Sequence, residues 1–222
     1  MSSTKDSLYE CSLFGKLDKK SFNRLRERVI AICGEDFIEV RYHEVIIMPA
    51  VTTPLGQNRN DDVTLRCRHS YKERSQASRE QNWQFFMLGT PEARQDRSII
   101  VRPVIYAPVA GNPMKYAAVV GYKLELELAK EGFTYFYKDT VLISIYKLYK
   151  IGKKFDLTTL YNVDGMDSWI VEVSSIPVKL EEVSQVTQDI KEVQSYLQGL
   201  IYLEYIDHLI LENKITYPAI DH

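Results

Sequence analysis

The chain has 222 residues, of which 45% are hydrophobic and 26% are charged. This composition is typical of a folded globular protein, and the length allows one large domain that needs no disulfide or metal to hold it together. The net charge of −2 excludes a bulk positive field of the kind that attracts nucleic acid, so such binding would require a local basic patch.

The cysteines and the amino terminus bear on the compartment. Cys11, Cys33 and Cys67 are odd in number and far apart, which argues against a secreted disulfide framework and favours a reducing compartment. Residues 1–6 are polar, so we expect no secretory signal peptide. The apolar runs of the sequence are far shorter than a membrane-spanning helix requires.

The first elements are a strand and a helix. A strand is predicted over 8–17. Between Asp18 and Gly34 apolar residues recur at the 3,4,3 spacing of a helix face, which predicts a helix with Asp18 as its N-cap and Gly34 as its stop. A further strand is predicted over 36–48.

The next segment combines loops and short strands. Residues 49–62 are polar and contain prolines, so we expect a flexible surface loop there. Strict alternation predicts a strand over 63–69. A second flexible loop is expected at 71–81, before a strand over 83–88. The strand predicted over 99–109 contains two prolines, which predicts an edge position or a bulge.

The second half of the chain is predicted to be mostly antiparallel strand. A short helix is expected at 114–119. Further strands are predicted over 121–129, 132–138 and 140–151, and, after a loop at 153–166, over 168–176. Connections this short favour antiparallel hairpins, because a parallel return needs a crossover of a dozen or more residues.

A long amphipathic helix is predicted after Pro177. Apolar residues from Val183 to Leu200 keep a 3,4,3,4,3 spacing over about five turns. This pattern is typical of a helix that faces its own core, but a seam for a partner helix has the same signature. The tail over 202–222 retains apolar residues, so we expect it to pack against the domain.

These elements define a fold class. Roughly eight to nine strands, with two main helices and no regular alternation of strand and helix, indicate an antiparallel arrangement. We therefore expect an α+β protein: a single domain over 1–222 built as an antiparallel β-barrel-like sheet with flanking helices.

Motifs for chemistry are weak. The four histidines, His43, His69, His208 and His222, have none of the spacings of metal ligands. The sequence also lacks a glycine-rich phosphate loop and a nucleophile elbow. The sequence therefore predicts no catalytic residue, no metal site and no cofactor.

One pattern offers an alternative. Glu125 and Glu127 lie on one face of a predicted strand together with Lys123. Paired carboxylates inside a barrel, with Arg66 and Arg68 as cations, could hold a divalent metal against a polyphosphate. The same alternation is equally that of a plain amphipathic strand with its polar face in water.

Tyrosine is unusually abundant, with 15 residues. Tyrosine suits both β-sheets and protein interfaces. Around Tyr146, Leu148 and Tyr149 both faces of a predicted strand carry large side chains, so another element or another chain must cover it. These three residues are the predicted partner-binding site, with cover by the chain's own terminal helix as the alternative.

Several segments of the chain together form a recognisable series. The most distinctive is 83–92, Trp-Gln-Phe-Phe-Met-Leu-Gly-Thr-Pro-Glu, followed by Arg97, and the others are 9–15, 22–26, 121–151, 169–174 and 198–207. In order and spacing these segments resemble the family of subunit 18 of the Mediator head module, which acts in RNA polymerase II transcription. Residues 9–15 resemble the family's opening strand and 22–26 its first helix.

The resemblance implies a fold and a role. It implies an antiparallel barrel related to the triphosphate-tunnel enzymes but without their catalysis. It also implies a heterodimer with Mediator subunit 20, capture of a carboxy-terminal helix of subunit 8, and a nuclear coactivator role through RNA polymerase II and the general initiation machinery. The loop at 49–62 and the tail beyond Asp207 depart from the family. The alternative is a metal-dependent polyphosphate or RNA 5′-triphosphate hydrolase that uses Glu125 and Glu127.

Overall fold

The structure is a computed structural model, and it describes residues 7–50, 63–75, 82–92, 98–163 and 167–205. Its strands are β1 (Leu8–Leu17), β2 (Ile38–Pro49), β3 (Leu65–Ser70), β4 (Trp83–Leu88), β5 (Ile100–Val109), β6 (Tyr122–Tyr137), β7 (Val141–Lys153), β8 (Asp156–Asn162), β9 (Trp169–Ser175) and β10 (Val178–Lys179). Its helices are α1 (Phe22–Cys33), α2 (Pro113–Val119) and α3 (Val183–Leu197).

The strands close into a ring. Antiparallel pairing runs from β1 through β5, β4, β3, β2 and β6 to β7. Strand β9 then pairs antiparallel with both β7 and β1, which joins the two ends. The predicted α+β fold, an antiparallel barrel-like sheet with flanking helices, is confirmed.

Side-chain alternation divides the ring into an inside and an outside. On β7, Val141, Ile143 and Ile145 face outward and are fully buried under the helices. The residues between them face the interior of the ring. Ile190 and Val193 of α3 pack on this outer face together with α1, so the prediction that the terminal helix faces its own core is confirmed.

The helix ends differ from the sequence prediction. Asp18 makes no side-chain cap; a 3-10 turn over Lys19–Ser21 precedes α1, and the Ser21 N–H donates to the Asp18 carbonyl. Gly34 ends α1 with φ 90°, as predicted from the freedom of glycine in that region. Helix α3 begins at Val183 rather than after Pro177, because β10 and another 3-10 turn come between them.

The predicted break between the strands over 121–129 and 132–138 was wrong. Both predicted strands belong to β6, which continues through residues 130 and 131 and through Gly132. A Cβ at this position would lie 2.1 Å from the Ile145 carbonyl oxygen and 2.5 Å from the Tyr146 Cα. Glycine is therefore required for the close approach of β6 and β7, not for a turn.

Two other predictions also need correction. The loop predicted over 153–166 contains β8, which pairs with β7. Strand β5 is not an edge strand: its first half, with Pro103, pairs with β1, and its second half, with Pro108, pairs with β4. Because each half is paired mainly on one side, only every second N–H group of the strand donates a hydrogen bond to a neighbouring strand. A proline, which has no N–H group, can therefore occupy one of the other positions.

The ends of the predicted loops and tail are anchored where the structure describes them. Tyr71 is buried and its N–H donates to the Arg41 carbonyl at 3.0 Å. Leu203 is buried, and Glu204 forms a bridge with Phe14. The remainder of the predicted loops, 51–62 and 76–81, and the tail from 206 lie outside the described residues. No helix within the described ranges is both long and apolar enough to span a membrane.

Candidate functional site

The ring encloses a cavity of about 470 Å³, which we call the lumen. Its charged and phenolic lining comes from β1, β2, β3, β5, β6, β7 and β9, and it comprises Glu10, Tyr42, Glu44, Arg68, Tyr106, Lys130, Tyr146 and Glu172. The strands bring these residues together because each occupies an inward position of its alternation. The lumen therefore brings charged and phenolic groups together inside the ring.

Glu44 and Lys130 neutralise each other in the lumen. Lys130 Nζ lies 3.2 Å from Glu44 Oε1. Burial disfavours the charge on Glu44, but Lys130 and Arg68 outweigh burial and hold its pKa below the ordinary value. Burial likewise opposes the charge on Lys130, and the carboxylates of Glu44 and Glu172 outweigh it and raise its pKa.

Glu10 and Glu172 each receive a tyrosine hydroxyl. Tyr106 donates to Glu10 Oε2 at 3.0 Å, and Tyr146 donates to Glu172 Oε2 at 2.9 Å. Burial, and next the negative charge of Glu172, raise the pKa of Glu10 to about 7. This carboxyl group is therefore about half protonated at neutral pH.

Arg68 is held by aromatic rings. Its guanidinium carbon lies 5.1 Å from the ring centroid of Tyr42, 5.2 Å from that of Phe86 and 5.4 Å from that of Tyr106. It also donates to Gln84 Oε1 at 3.5 Å. Contacts on several ring faces fix the position of this cation inside the lumen.

A second polar group lies outside the lumen, in an apolar cluster with Trp83 and Phe155. His43 Nδ1 is 3.1 Å from His69 Nε2, and His43 Nε2 is 3.0 Å from Glu127 Oε2. The Phe155 N–H donates to the same carboxylate oxygen at 3.0 Å.

The hydrogen-bond partners of His69, His43 and Glu127 determine which of their atoms carry hydrogen. His69 Nδ1 lies 3.0 Å from the Ser70 carbonyl, which only accepts, so this nitrogen carries the hydrogen. Burial lowers the pKa of His69 to about 4, so its Nε2 accepts from His43 Nδ1. His43 Nε2 and Glu127 must then share one further proton for these hydrogen bonds to be satisfied.

The structure does not place Glu125 and Glu127, the two carboxylates of the alternative hydrolase site, in the lumen. Glu127 is buried outside it, against His43. Glu125 is half exposed, 3.8 Å from Lys123, at a bulge where β6 slips against β2. Because the bulge and the outward position separate both groups from Arg68, the alternative site built on them was wrong.

The predicted partner-binding residues are divided between two faces. Tyr146 is 5% exposed and faces the lumen. Tyr149 packs against the outer apolar cluster and lies under the Arg74 guanidinium, whose carbon is 5.4 Å from its ring centroid. Leu148 is half buried. Their role toward a partner stays a prediction.

Sequence reasoning missed the lumen carboxylates Glu10 and Glu172. Each begins a Glu-x-Ser segment with an apolar residue between, Glu10-Cys-Ser12 on β1 and Glu172-Val-Ser174 on β9. Ser12 and Ser174 are register partners on these neighbouring strands. This repeated pattern was the available signal. Within the described ranges, no group of three or more histidine, cysteine or acidic residues is arranged to hold a metal ion.

The fold and its lumen define the class as a tunnel-like antiparallel β protein. The triphosphatase of the Mimivirus capping enzyme has a similar fold, with a TM-score of 0.57 and 14% identity over 87% of this chain and 90% of that one. The Schizosaccharomyces pombe Mediator head module contains a chain that is more similar, with a TM-score of 0.73 and 17% identity over 89% of this chain and 98% of that one.

Sequence comparison then identifies the family. The model of the Med18 protein family matches residues 9–214, so the chain belongs to that family. Subunit 18 of the Mediator of RNA polymerase II transcription from Arabidopsis thaliana is 23% identical over 197 residues, which cover 87% of this chain and 85% of the relative. The resemblance found in the sequence is confirmed.

Proposed function

We propose that the chain is a non-catalytic structural subunit of the Mediator head module and acts in the nucleus as a coactivator of RNA polymerase II transcription. The observation that carries the proposal is the family match over 9–214. The name of the Arabidopsis relative and the head-module structure from Schizosaccharomyces pombe support it.

The lumen supports a structural rather than a catalytic role. Glu44 is paired with Lys130, and the carboxylates of Glu10 and Glu172 accept hydrogen bonds from tyrosines. Carboxylates that bind a catalytic metal need their oxygens for the ion. The internal partners therefore satisfy the groups that a tunnel hydrolase would use.

The partners of the chain within the head module are a finer proposal. We propose that it forms a heterodimer with Mediator subunit 20 and captures a carboxy-terminal helix of subunit 8. Contact with RNA polymerase II and the general initiation machinery is then made through the assembled head module. The exposed apolar side chains of Ile105 and Val119, at 63% and 86%, show that apolar surface is available on the outside of the ring.

Affinity purification tests the assembly role. A tagged copy of the full chain, expressed at its natural level, is purified from nuclear extract, and the co-purifying chains are identified by mass spectrometry. We expect Mediator head subunits, including subunits 20 and 8. Recovery of the tagged chain without any Mediator subunit would overturn the proposal.

Calorimetry tests the helix-capture proposal and the predicted residues. A peptide from the carboxy terminus of subunit 8 is titrated into the full chain and into the variants Leu148→Ala and Tyr149→Ala. Tyr161→Ala on the neighbouring β8 is the matched control, because Tyr161 is 52% exposed. We expect saturable binding that both variants weaken and the control retains. Equal binding by all variants would exclude Leu148 and Tyr149 from the interface.

A further inference from the structure

Arg68 differs from the other charged groups that line the lumen. The carboxylates of the lumen each lie within hydrogen-bond reach of Lys130 or of a tyrosine hydroxyl. Among the described residues, no carboxylate forms an ion pair with Arg68, and its hydrogen bond there is the 3.5 Å contact with Gln84. A guanidinium group has five N–H donors, so most donors of Arg68 are available to a ligand.

The balance of charge inside the ring favours one further negative group. Among the described residues, the charged side chains in inward positions are the acids Glu10, Glu44 and Glu172 and the bases Arg66, Arg68, Arg102 and Lys130. Arg66 takes its inward position from alternation with Arg68, and Arg102 from its register with Glu10. Three acids against four bases leave an excess of one positive charge. The interior therefore suits a monoanion, whereas a polyphosphate would carry more negative charge than this excess balances.

An apolar path leads from Arg68 to the open end of the lumen. The Tyr42 ring centroid lies 5.1 Å from the Arg68 guanidinium carbon, and Val40 and Ile38 line the cavity at the next alternate positions of β2. The four residues from Tyr42 to Ile38 span about 13 Å of extended strand. Ile38 and Phe136 are 54% and 40% exposed although they line the cavity, so a hydrocarbon chain that covers them removes apolar surface from water.

We propose that the lumen binds a monocarboxylate with an aliphatic chain, with its carboxylate on Arg68 and its chain along Val40 and Ile38. The planar guanidinium group can donate two parallel hydrogen bonds to a carboxylate. The ligand is either a free fatty acid or the carboxy terminus of a peptide that ends in an apolar residue, because both present the same chemistry. This binding activity is separate from the assembly role.

Glu10 gives the proposal a signature in protons. Tyr106 donates to Glu10 Oε2, and its ring centroid lies 5.4 Å from the Arg68 guanidinium carbon, so a carboxylate on Arg68 lies on the same side of the lumen as Glu10. A new negative charge there favours the neutral form of Glu10, whose pKa is about 7. Binding at pH 7 therefore takes up at most about half a proton and weakens as the pH rises from 6 to 8. The charged and titratable groups that face Glu10 are Tyr106, Arg102, Arg68 and Glu172.

Isothermal titration of the full chain with decanoate tests the inference. Titrations at pH 7 in two buffers of different ionisation enthalpy measure the protons taken up, and decylamine is the matched ligand with the opposite charge. We expect saturable binding of decanoate with proton uptake, and no saturable binding of decylamine or tripolyphosphate. A parallel titration with Nα-acetyl-leucine identifies a peptide terminus as the source if it binds and decanoate does not.

Variants of Arg68 locate the carboxylate. We expect Arg68→Gln and Arg68→Lys each to weaken decanoate binding at least about tenfold, because lysine keeps the charge but not the planar pair of donors. Glu10→Gln should abolish the proton uptake. Arg24→Gln is the matched control, since Arg24 is exposed on α1, and it should change neither.

Variants of Ile38 locate the hydrocarbon chain. In the series from hexanoate to decanoate, we expect up to about fourfold tighter binding for each added methylene that is buried. Ile38→Asn, at an exposed position, should reduce this gain with chain length. Ile105→Asn is the control, because Ile105 is 63% exposed and lies outside the ring.

Four outcomes would overturn the proposal. They are decylamine binding as tightly as decanoate, tripolyphosphate binding more tightly than decanoate, unchanged decanoate affinity in both Arg68 variants, and the absence of binding heat in both buffers with decanoate and Nα-acetyl-leucine alike. If the Arg68 variants fail to fold, the comparison of Ile38→Asn with Ile105→Asn decides: an equal gain with chain length in the two variants also overturns the proposal.

Discussion

Two glutamates of one strand show how far the environment of a residue determines its role. Glu125 and Glu127 have the same sequence signature, yet Glu125 sits half exposed at a bulge and Glu127 is buried against His43. Glu127 Oε2 contacts both His43 and the Phe155 N–H. The carboxylate therefore ties β2 and β6 to the turn between β7 and β8.

We expect Glu127→Ala to lower the free energy of unfolding by about 2–4 kcal/mol. The substitution leaves the Phe155 N–H and a histidine nitrogen buried without their acceptor, and each such loss costs about 1–3 kcal/mol. Urea denaturation monitored by circular dichroism measures the change. Glu125→Ala is the control and should stay within about 0.5 kcal/mol of the parent. Equal effects of the two substitutions would contradict the assigned role of Glu127.

Two buried groups should make opposite contributions to acid stability. The pKa of Glu10 is raised from 4.5 to about 7, so the stability that this group contributes is fully present below pH 4.5 and is lost as the pH rises through 7. The pKa of His69 is lowered from 6.5 to about 4, so its contribution is present above pH 6.5 and is lost as the pH falls toward 4. Each difference corresponds to roughly 3 kcal/mol.

We therefore expect the free energy of unfolding of the parent chain to change little between pH 7 and pH 4.5, because the two contributions offset each other. Substituting either residue should reveal the contribution of the other. Glu10→Gln should lose stability on acidification, because only the His69 contribution remains. His69→Gln should gain stability over the same interval. Urea unfolding at a series of pH values measures both, and parallel profiles for the parent and both variants would contradict the assignment.

At the scale of the element, β6 depends on Gly132. The strand continues past the break that the sequence predicts at 130–131, and a Cβ at Gly132 would lie within 2.7 Å of the Ile145 carbonyl, the Tyr146 Cα and the Tyr146 Cβ. We expect Gly132→Ala to destabilise the fold by about 1–3 kcal/mol, since overpacking against backbone forces β6 and β7 apart. Thermal melting measures the loss.

Gly152→Ala is the matched control for that substitution. It lies near the end of β7, and a Cβ there would first meet the Thr159 carbonyl at 3.2 Å. We expect a clearly smaller decrease in melting temperature than for Gly132→Ala. If Gly132→Ala melts no lower than the control, the close approach of β6 and β7 is not what requires glycine.

The elements illustrate what local sequence determines. Strands β1 and β4 were predicted with the bounds that the structure has, because alternation and flanking turn residues are local signals. The end of α1 at Gly34 follows from local backbone chemistry as well. The break predicted before Gly132 was wrong, because glycine permits both a turn and a close approach, and only the neighbouring strand decides between them. Strand β8 was missed because its pairing with β7 is not visible in the local pattern.

The site was harder to predict than the fold, because it depends on contacts between strands that are distant in sequence. Glu10 and Glu172 are far apart in sequence and meet because β9 closes the ring onto β1. Pairing of that kind is a property of the whole topology, so the sequence shows the Glu-x-Ser segments without showing that they face one chamber. The pair Glu125 and Glu127, two residues apart in sequence, was more visible, and it carried the alternative site that the structure does not support.

At the scale of the molecule, the ring preserves a tunnel while its polar groups are engaged by the protein itself. Among the described residues, the lumen carboxylates accept from Lys130, Tyr106 and Tyr146. The triphosphatase of the Mimivirus capping enzyme has a similar fold, so the path of the backbone does not by itself decide between a structural and a catalytic role. The side chains of the lumen must decide it.

We expect the purified full chain to release no phosphate from a nucleoside triphosphate or from RNA with a 5′-triphosphate, with either Mg²⁺ or Mn²⁺. Displacing Lys130 from Glu44 and two tyrosine hydroxyls from their carboxylates would leave those donors buried and unpaired, at about 1–3 kcal/mol for each group. At this cost, binding of a divalent metal ion in the lumen is unfavourable compared with the hydrated ion in solution. Phosphate release is measured against Glu10→Gln and Glu172→Gln prepared identically, which separates a contaminating phosphatase from the chain itself. Turnover present in the parent and lost in both variants would establish a working metal site in the lumen, and the structural role proposed for the chain would then no longer account for its interior.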